Sequence, residues 1–379
     1  MFRARRRGNP VAVDRRGEKG RAVADQILIT GGAGFIGSHV ADALLAAGHR
    51  VRAFDCLDPR VHPDGRPGYL DADVELVLGD VRDAATVRRA LGRVDVVVHL
   101  AARVGAHESA FEPADYATTN TRGTGVLLQE MLERTPKRLV VASCASVYGE
   151  GLYRSPDGLF ESAERTREQL LAGHWEPIGP DGAALEPLPT PEWKRPAPAS
   201  IAAATKYAQE RMCLLFGAAH GIPTVALRLA SAYGPRQHDA CAVGTIAARL
   251  RDGERPTIFE DGLQQRDFVS VHDVARAVRL ALDRDSAAGH AINVGSGRGV
   301  TILELAEKLG EALGVQVEPH VTGESRSGDV RHCVTDITLA GEVLGYTPAI
   351  SLDDGLAELA ESLDAAPVTP TESAEEATL

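Results

Sequence analysis

Cysteine is scarce and scattered: Cys56, Cys144, Cys213, Cys241 and Cys333 are the five in 379 residues, and no two form a CxxC pair. An odd, dispersed set supports neither a disulfide framework nor a structural zinc. No metal is therefore expected, and a reducing cytoplasm is the expected setting. Long apolar runs are missing as well; none approaches the roughly 18 residues that a membrane-spanning helix needs. Positive charge is in deficit, with 41 Lys and Arg against 53 Asp and Glu, a net charge of −12. That argues against nucleic acid as the main ligand, because a large phosphate surface calls for a basic face. A small phosphorylated ligand held by two or three arginines stays compatible. What is abundant is apolar surface, 44% of the residues, enough for one large α/β domain and a smaller one.

Both ends read as peripheral. Residues 1–25 carry Arg3, Arg5, Arg6, Arg7, Arg15 and Arg16 with almost no apolar periodicity, and no apolar segment of signal-peptide type follows. A disordered basic extension is expected there, and a disordered tail at 362–379, which turns rich in Pro, Thr, Ser and Glu from 366.

Between them the pattern is regular. The apolar run 26–30 reads as a buried strand, and 38–47 has apolar residues at helical spacing up to Gly48. Further strands are expected at 50–54, 74–78, 94–100 and 138–142, with helical patterns between most of them. Strand and helix in alternation predict a Rossmann-type, doubly wound parallel sheet. Residues 150–198, with eight prolines and weak periodicity, predict a lid-like insertion. The expected division is a nucleotide-binding domain at 26–230 and a smaller, mainly substrate-binding α/β domain at 231–361, with a helix at 268–283 returning to the first.

The first strand runs into Gly31-Gly32-Ala33-Gly34-Phe35-Ile36-Gly37. Gly31 suits a tight turn. Gly34 lets the backbone approach a pyrophosphate at a helix N-terminus, where Phe35 and Ile36 follow, and Gly37 allows close helix–strand packing. Asp55, 18 residues beyond Gly37 at the end of the second strand, is placed to accept from ribose hydroxyls. A carboxylate there repels a 2′-phosphate, so NAD is expected rather than NADP.

The GxxGxxG spacing, Gly79-Asp80-Val81-Arg82-Asp83 and His99-Leu100-Ala101-Ala102 together closely resemble the extended short-chain dehydrogenase/reductase family, over residues 27–359. The resemblance implies that Asp80 and Val81 flank the adenine and that Leu100, Ala101 and Ala102 line the cofactor. Within the family the chain is most similar to nucleotide-sugar 4-epimerases acting on dTDP-linked 6-deoxysugars of the L-rhamnose type. Gly105-Ala106-His107-Glu108-Ser109, Ser146-Val147-Tyr148-Gly149-Glu150-Gly151, Tyr233-Gly234-Pro235-Arg236-Gln237 and Arg266-Asp267-Phe268-Val269 carry that likeness.

The family implies a Ser or Thr after the fifth strand and a Tyr-x-x-x-Lys helix. Tyr and Lys at i and i+4 share a helix face; the ammonium lowers the Tyr pKa, and the phenolate takes a proton from a sugar hydroxyl. Lys206, in the segment 200–210, falls on the lysine; Ala202 stands where the tyrosine belongs and Cys144 where the Ser/Thr belongs. Tyr207 lies on a different face from position 202. Three readings of Ala202 stay open: an introduced, inactivating substitution; a natural enzyme with another base; or a natural non-catalytic binder. Candidates for the base or for contact with the reacting hydroxyl are Cys144, Ser146, His107 and Glu108. The Asp-Glu pair of family dehydratases is replaced by Ala145-Ser146, which disfavours that chemistry.

By the same resemblance, Arg266 and Arg326 clamp a sugar-nucleotide diphosphate, with Arg236 and Arg331 as weaker candidates. Ser231, preceded by Leu229 and Ala230, replaces a usual Asn preceded by bulky aromatics, which implies a widened pocket floor. A homodimer through helices at about 112–134 and 200–220 is expected. The expected function is an NAD-dependent nucleotide-sugar epimerase working through a transient keto-sugar. The alternatives are an inactive binder of NAD and sugar nucleotide, and another oxidoreductase or lyase outcome from the same intermediate.

Overall fold

The computed structural model describes residues 24–161, 165–238, 241–326 and 328–364. Most of the extension expected at 1–25 and of the tail expected at 362–379 lies outside the described residues.

The chain opens with β1 (Gln26–Thr30), buried throughout. Its side chains alternate: Ile27 and Ile29 enter the core on one sheet face, Leu28 the core on the other. A turn at Gly31 leads into α1 (Phe35–Ala46). There follow β2 (Arg50–Asp55), β3 (Glu75–Leu78) and α2 (Ala84–Ala90), the last capped by the Asp83 carboxylate accepting from the Ala85 amide. β4 (Val96–His99) precedes the short α3 (Ala106–Phe111) and α4 (Pro113–Tyr116), a wide turn, and α5 (Gly123–Met131). β5 (Arg138–Cys144) alternates like β1, with Leu139 and Val141 on one face and Val140 and Ala142 on the other.

The expected insertion holds β6 (Leu152–Ser155), β7 (Gly158–Phe160), α6 (Arg167–Leu171) and β8 (Glu186–Leu188), its strands forming a small antiparallel sheet. Charge pairing pins this segment down. The Arg331 guanidinium, 1% exposed, reaches Glu176 at 2.6 Å, Asp261 at 2.6 Å and Glu260 at 3.0 Å, and Arg165 reaches Glu260 at 2.6 Å. Proline and glycine break the local period, and pairings far apart in sequence replace it.

Next comes α7 (Ile201–His220), capped by the Ser200 hydroxyl and ended by Gly221 at φ +66°. The remainder runs β9 (Thr224–Leu229), β10 (Ser231–Tyr233), α8 (Ala242–Arg251), β11 (Thr257–Ile258), β12 (Gln265–Ser270), α9 (Val271–Asp283), β13 (Ala291–Val294), β14 (Gly299–Thr301), α10 (Ile302–Leu313), β15 (His320–Val321), β16 (His332–Cys333), α11 (Thr338–Leu344) and α12 (Leu352–Asp364). The helix expected at 268–283 begins only at Val271, where the Ser270 hydroxyl caps it; 268–270 close β12.

Seven parallel strands form the main sheet in the order β13-β9-β5-β4-β1-β2-β3, as the alternation predicted. Strand β13, from late in the chain, supplies an edge that the sequence pattern had not revealed. The order reverses between β1 and β4, which opens a crevice at their carboxyl ends, the place where sheets of this kind take ligands. A separate core, with Val243, Leu250, Phe268, Leu305, Leu309 and Leu356 in it, joins α8, α10 and α12.

Candidate active site

The crevice is bounded first by the glycine turn. Gly31 takes φ +70°, and a Cβ there would lie 2.9 Å from the Ala101 amide nitrogen, so β1 and β4 meet backbone to backbone. A Cβ on Gly37 would come within 2.1 Å of the Gly31 carbonyl oxygen. At Gly34 it would meet only that oxygen, at 3.5 Å. The turn is tight at its first and third glycines and open at the second, where a ligand would approach. No side chain caps the first turn of α1, which leaves its amides to an anion.

Asp55 closes β2. Its carboxylate accepts from the Ala33 amide at 3.0 Å and the Leu57 amide at 3.0 Å, which fixes it beside the turn. Asp80 is chelated by its neighbour Arg82, at 2.9 and 2.6 Å, and this holds its carboxyl below the usual carboxylate range. Val81 is buried and packs toward Gly123 rather than lying open at the strand end. Leu100, Ala101 and Ala102 are half-buried along the crevice after β4.

On its far side lies α7. Its Lys206 is 5% exposed, and its ammonium donates to the Ala142 carbonyl at 2.5 Å and to the Gln209 side-chain oxygen. Burial lowers the Lys206 pKa, against the pull of Cys144. Cys144 ends β5, half-buried, with Sγ 2.6 Å from the Ser146 hydroxyl. Burial pushes its thiol up and the Lys206 charge opposes that rise. Ala202 is buried one turn before Lys206; its carbonyl accepts from Thr205, whose hydroxyl also accepts from Asn120 at 2.9 Å. Below, the Arg228–Glu210 pair, at 2.7 Å, holds the Ser143 hydroxyl at 2.7 Å.

The structure thus gathers Cys144, Ser146, Ala202 and Lys206. It does not gather His107 and Glu108. Both sit exposed on α3; the His107 ring packs on Phe111 at 5.1 Å, and no hydrogen bond joins either to Cys144 or Lys206 among the described residues. Tyr207 packs against Val147, Tyr148 and Cys333, the cluster that Cys144 also borders. Of the arginines, Arg331 is committed to the insertion. Arg236, at φ +66°, turns to Asp42 on α1 at 2.8 Å and covers the Tyr69 ring. Arg266 grips the Gln265, Val330 and Arg331 carbonyls, and Arg326 pairs with Asp329 at 3.0 Å over the Phe259 ring. Ser231 opens β10, exposed. No group of His, Cys, Asp and Glu among the described residues could hold a metal, and no helix among them is long and apolar enough to cross a membrane.

The sequence pattern passed over Gln209 and His99. The Gln209 amide nitrogen donates to the Ala101 carbonyl at 3.1 Å and Thr124 at 3.0 Å, and lies 2.8 Å from the His99 ring nitrogen. The sign was its place three residues after Lys206, on the same helix face.

Residues 27–295 match the NAD dependent epimerase/dehydratase family. The chain belongs to that family. The dTDP-L-rhamnose 4-epimerase of Burkholderia thailandensis is 34% identical over 345 residues, 88% of this chain and 93% of its own. Among solved structures, the UDP-glucose 4-epimerase of Thermotoga maritima with UDP-glucose has a TM-score of 0.75 at 32% identity, covering 89% of this chain and 98% of its own. The Thermus thermophilus UDP-glucose 4-epimerase in complex with NAD has a TM-score of 0.72 at 30% identity, covering 90% and 100%. NAD is the family's cofactor, and the turn open at Gly34 with Asp55 beside it suits a dinucleotide.

Proposed function

We propose that this member of the epimerase/dehydratase family epimerises a nucleotide-diphosphate sugar through a keto-sugar, with Cys144 and Lys206 serving where relatives use tyrosine. The observation that carries this reading is that the Lys206 amine and Cys144 lie together at the carboxyl end of β5, while position 202 offers only a methyl group. Residues 26–230 are assigned to the cofactor and 231–361 mainly to the substrate. Gly31, Gly34, Phe35, Ile36 and Gly37 would form the turn that receives the cofactor, with the pyrophosphate approaching at Gly34, Asp55 would take the ribose, Asp80 and Val81 would flank the adenine, and Leu100, Ala101 and Ala102 would line the cofactor. Bound there, NAD supplies a reversible hydride acceptor.

The sugar hydroxyl must lose a proton as its carbon is oxidised and regain one as it is reduced. Cys144, bridged to Ser146 and with its thiol pushed up by burial against the opposing Lys206 charge, is the group assigned to that exchange. Arg266 and Arg326 are assigned to the diphosphate; each would exchange a present partner for a phosphate oxygen. Ser231 is assigned to the pocket floor. With Ala145-Ser146 in place of an acid pair, water elimination is not assigned.

The second reading, a binder without turnover, draws support from the inward turn of the Lys206 ammonium onto Ala142 and Gln209. An NMR time course with NAD and a panel of dTDP-, UDP- and GDP-sugars separates the two. A sugar inverted at C4 supports the epimerase. Saturable binding without conversion, restored to turnover by Ala202→Tyr, supports an inactivated enzyme; binding that Ala202→Tyr leaves silent supports the binder.

A further inference from the structure

A buried polar network runs from α7 to the end of β1. Lys206 Nζ donates to Gln209 Oε1, and the Gln209 amide nitrogen lies 3.1 Å from the Ala101 carbonyl, 3.0 Å from Thr124 Oγ1 and 2.8 Å from His99 Nε2. His99 continues to Thr30 Oγ1 at 2.7 Å, and the Ala101 amide donates to the same hydroxyl at 3.2 Å. His99, Gln209 and Thr30 are fully buried. Burial and the nearby Lys206 charge lower the His99 pKa to about 3, so its ring is neutral and accepts where its partners donate. The amine faces groups on every side: Ala142 O and Cys144 from β5, Gln209 and Glu210 from α7, Cys213 one turn beyond, and His99 from β4.

We propose that Gln209 is a positioning residue that fixes the Lys206 amine beside Cys144 and ties it to the Thr30–Ala101 corner of the crevice. The inference rests on the reading of Cys144 and Lys206 as the proton-exchanging pair. The physical case is one of available partners. A buried ammonium needs acceptors, and among the described residues Lys206 has two: the Ala142 carbonyl on the strand that carries Cys144, and the Gln209 amide. The carbonyl alone holds the amine at one point. The amide supplies the second, and its own two N–H groups are held among the Ala101 carbonyl, Thr124 and His99, which fixes its orientation. In relatives a tyrosine one turn earlier shares the lysine's face; here Ala202 offers no polar atom, and Gln209 is the side chain on that face that gives the amine a fixed direction. Its link to Ala101 joins the same amine to the backbone that lines the crevice.

The test reads the pair directly in the full-length chain and needs no turnover. Cys144 alkylation by iodoacetamide is followed across pH by peptide mass spectrometry, with Lys206→Met setting the full loss of the amine. Gln209→Met keeps the side-chain length and removes both amide atoms. The expected result is a rise in the Cys144 midpoint of about one unit, or about tenfold slower alkylation at a fixed pH below it, toward the Lys206→Met value. Coincidence with the unmutated profile, a shift downward, or no response to Lys206→Met overturns the proposal. Gln209→Glu provides a second readout should the Met variant fail to fold. A carboxylate against the amine slows acylation of Lys206 by acetic anhydride about tenfold at fixed pH, and an unchanged rate overturns the proposal. A protein that shows both shifts but converts no sugar nucleotide keeps this inference while the epimerase reading falls.

Discussion

At the scale of the residue, the glycine turn makes the sharpest distinction. Gly37 lies where a Cβ would collide with the Gly31 carbonyl at 2.1 Å, whereas at Gly34 it would sit 3.5 Å from the same oxygen. Gly37→Ala should therefore push α1 off the sheet, lowering the melting temperature along with NAD affinity. Gly34→Ala should melt like the parent and lose about tenfold or more in NAD affinity, roughly 1.4 kcal/mol, because the new methyl stands where the diphosphate approaches. Calorimetry of melting and of NAD binding on both variants checks the pair; equal affinity of Gly34→Ala and parent would remove the pyrophosphate from this turn. Asp55 belongs to the same scale. Two backbone amides, of Ala33 and Leu57, fix its carboxylate beside the turn, as the proposed ribose contact requires.

Single elements are held by pairings that differ in kind. Helix α7 meets the sheet through the buried Arg228–Glu210 ion pair, whose guanidinium also reaches the Tyr148 hydroxyl at 2.8 Å. Glu210→Ala strands a buried arginine and should cost about 3–5 kcal/mol in urea unfolding. A loss below about 1 kcal/mol would mean that water reaches the arginine. The insertion depends on a charge network, and its pH response follows. Burial pushes the Glu176 carboxyl up, but hydrogen bonds from His332 and Arg331 outweigh this and hold it at about 2. A carboxyl lowered on folding stabilises above its unfolded value, near 4.5, and that contribution is lost as pH falls toward about 2. Proteolysis between β6 and β8 should accordingly accelerate across that window, and Glu176→Gln should flatten the response. A parent protein equally resistant throughout would place the insertion's stability elsewhere.

For the whole molecule, the open question is what covers α5 and α7. Leu132, just beyond α5, is 51% exposed and Leu215, on α7, is 60% exposed, on the two helices expected to form a dimer. Large apolar side chains at the surface of neighbouring helices suit a second copy of this chain. Light scattering is expected to give the mass of a dimer, and Leu215→Glu to reduce it to that of a monomer. A monomeric parent would overturn the expectation. The site stays within one chain on this account, since Lys206 is buried with its amine against Ala142 and Gln209 rather than on the outer side of α7.

What the sequence determined by itself is local. Short continuous apolar runs made β1, β4 and β5 legible, because each is buried on both faces of the sheet. The glycine spacing made the turn and α1 legible, since few other residues fit those backbone approaches. Lys206 was legible from the segment around it. Other features depended on partners distant along the chain. β13 joins the sheet beside β9, an edge that no local period announces. Arg331, read beside Arg266 as a phosphate ligand, instead neutralises Glu176, Glu260 and Asp261. His107 and Glu108, read from the resemblance as candidates for the base, sit exposed on α3. Gln209 acquires its meaning from His99, Thr124 and Ala101, more than eighty residues away along the chain. A side chain's period is set by its neighbours in sequence, and its charge and hydrogen bonds are satisfied by neighbours in space, so only the tertiary structure could decide which polar groups were free for chemistry.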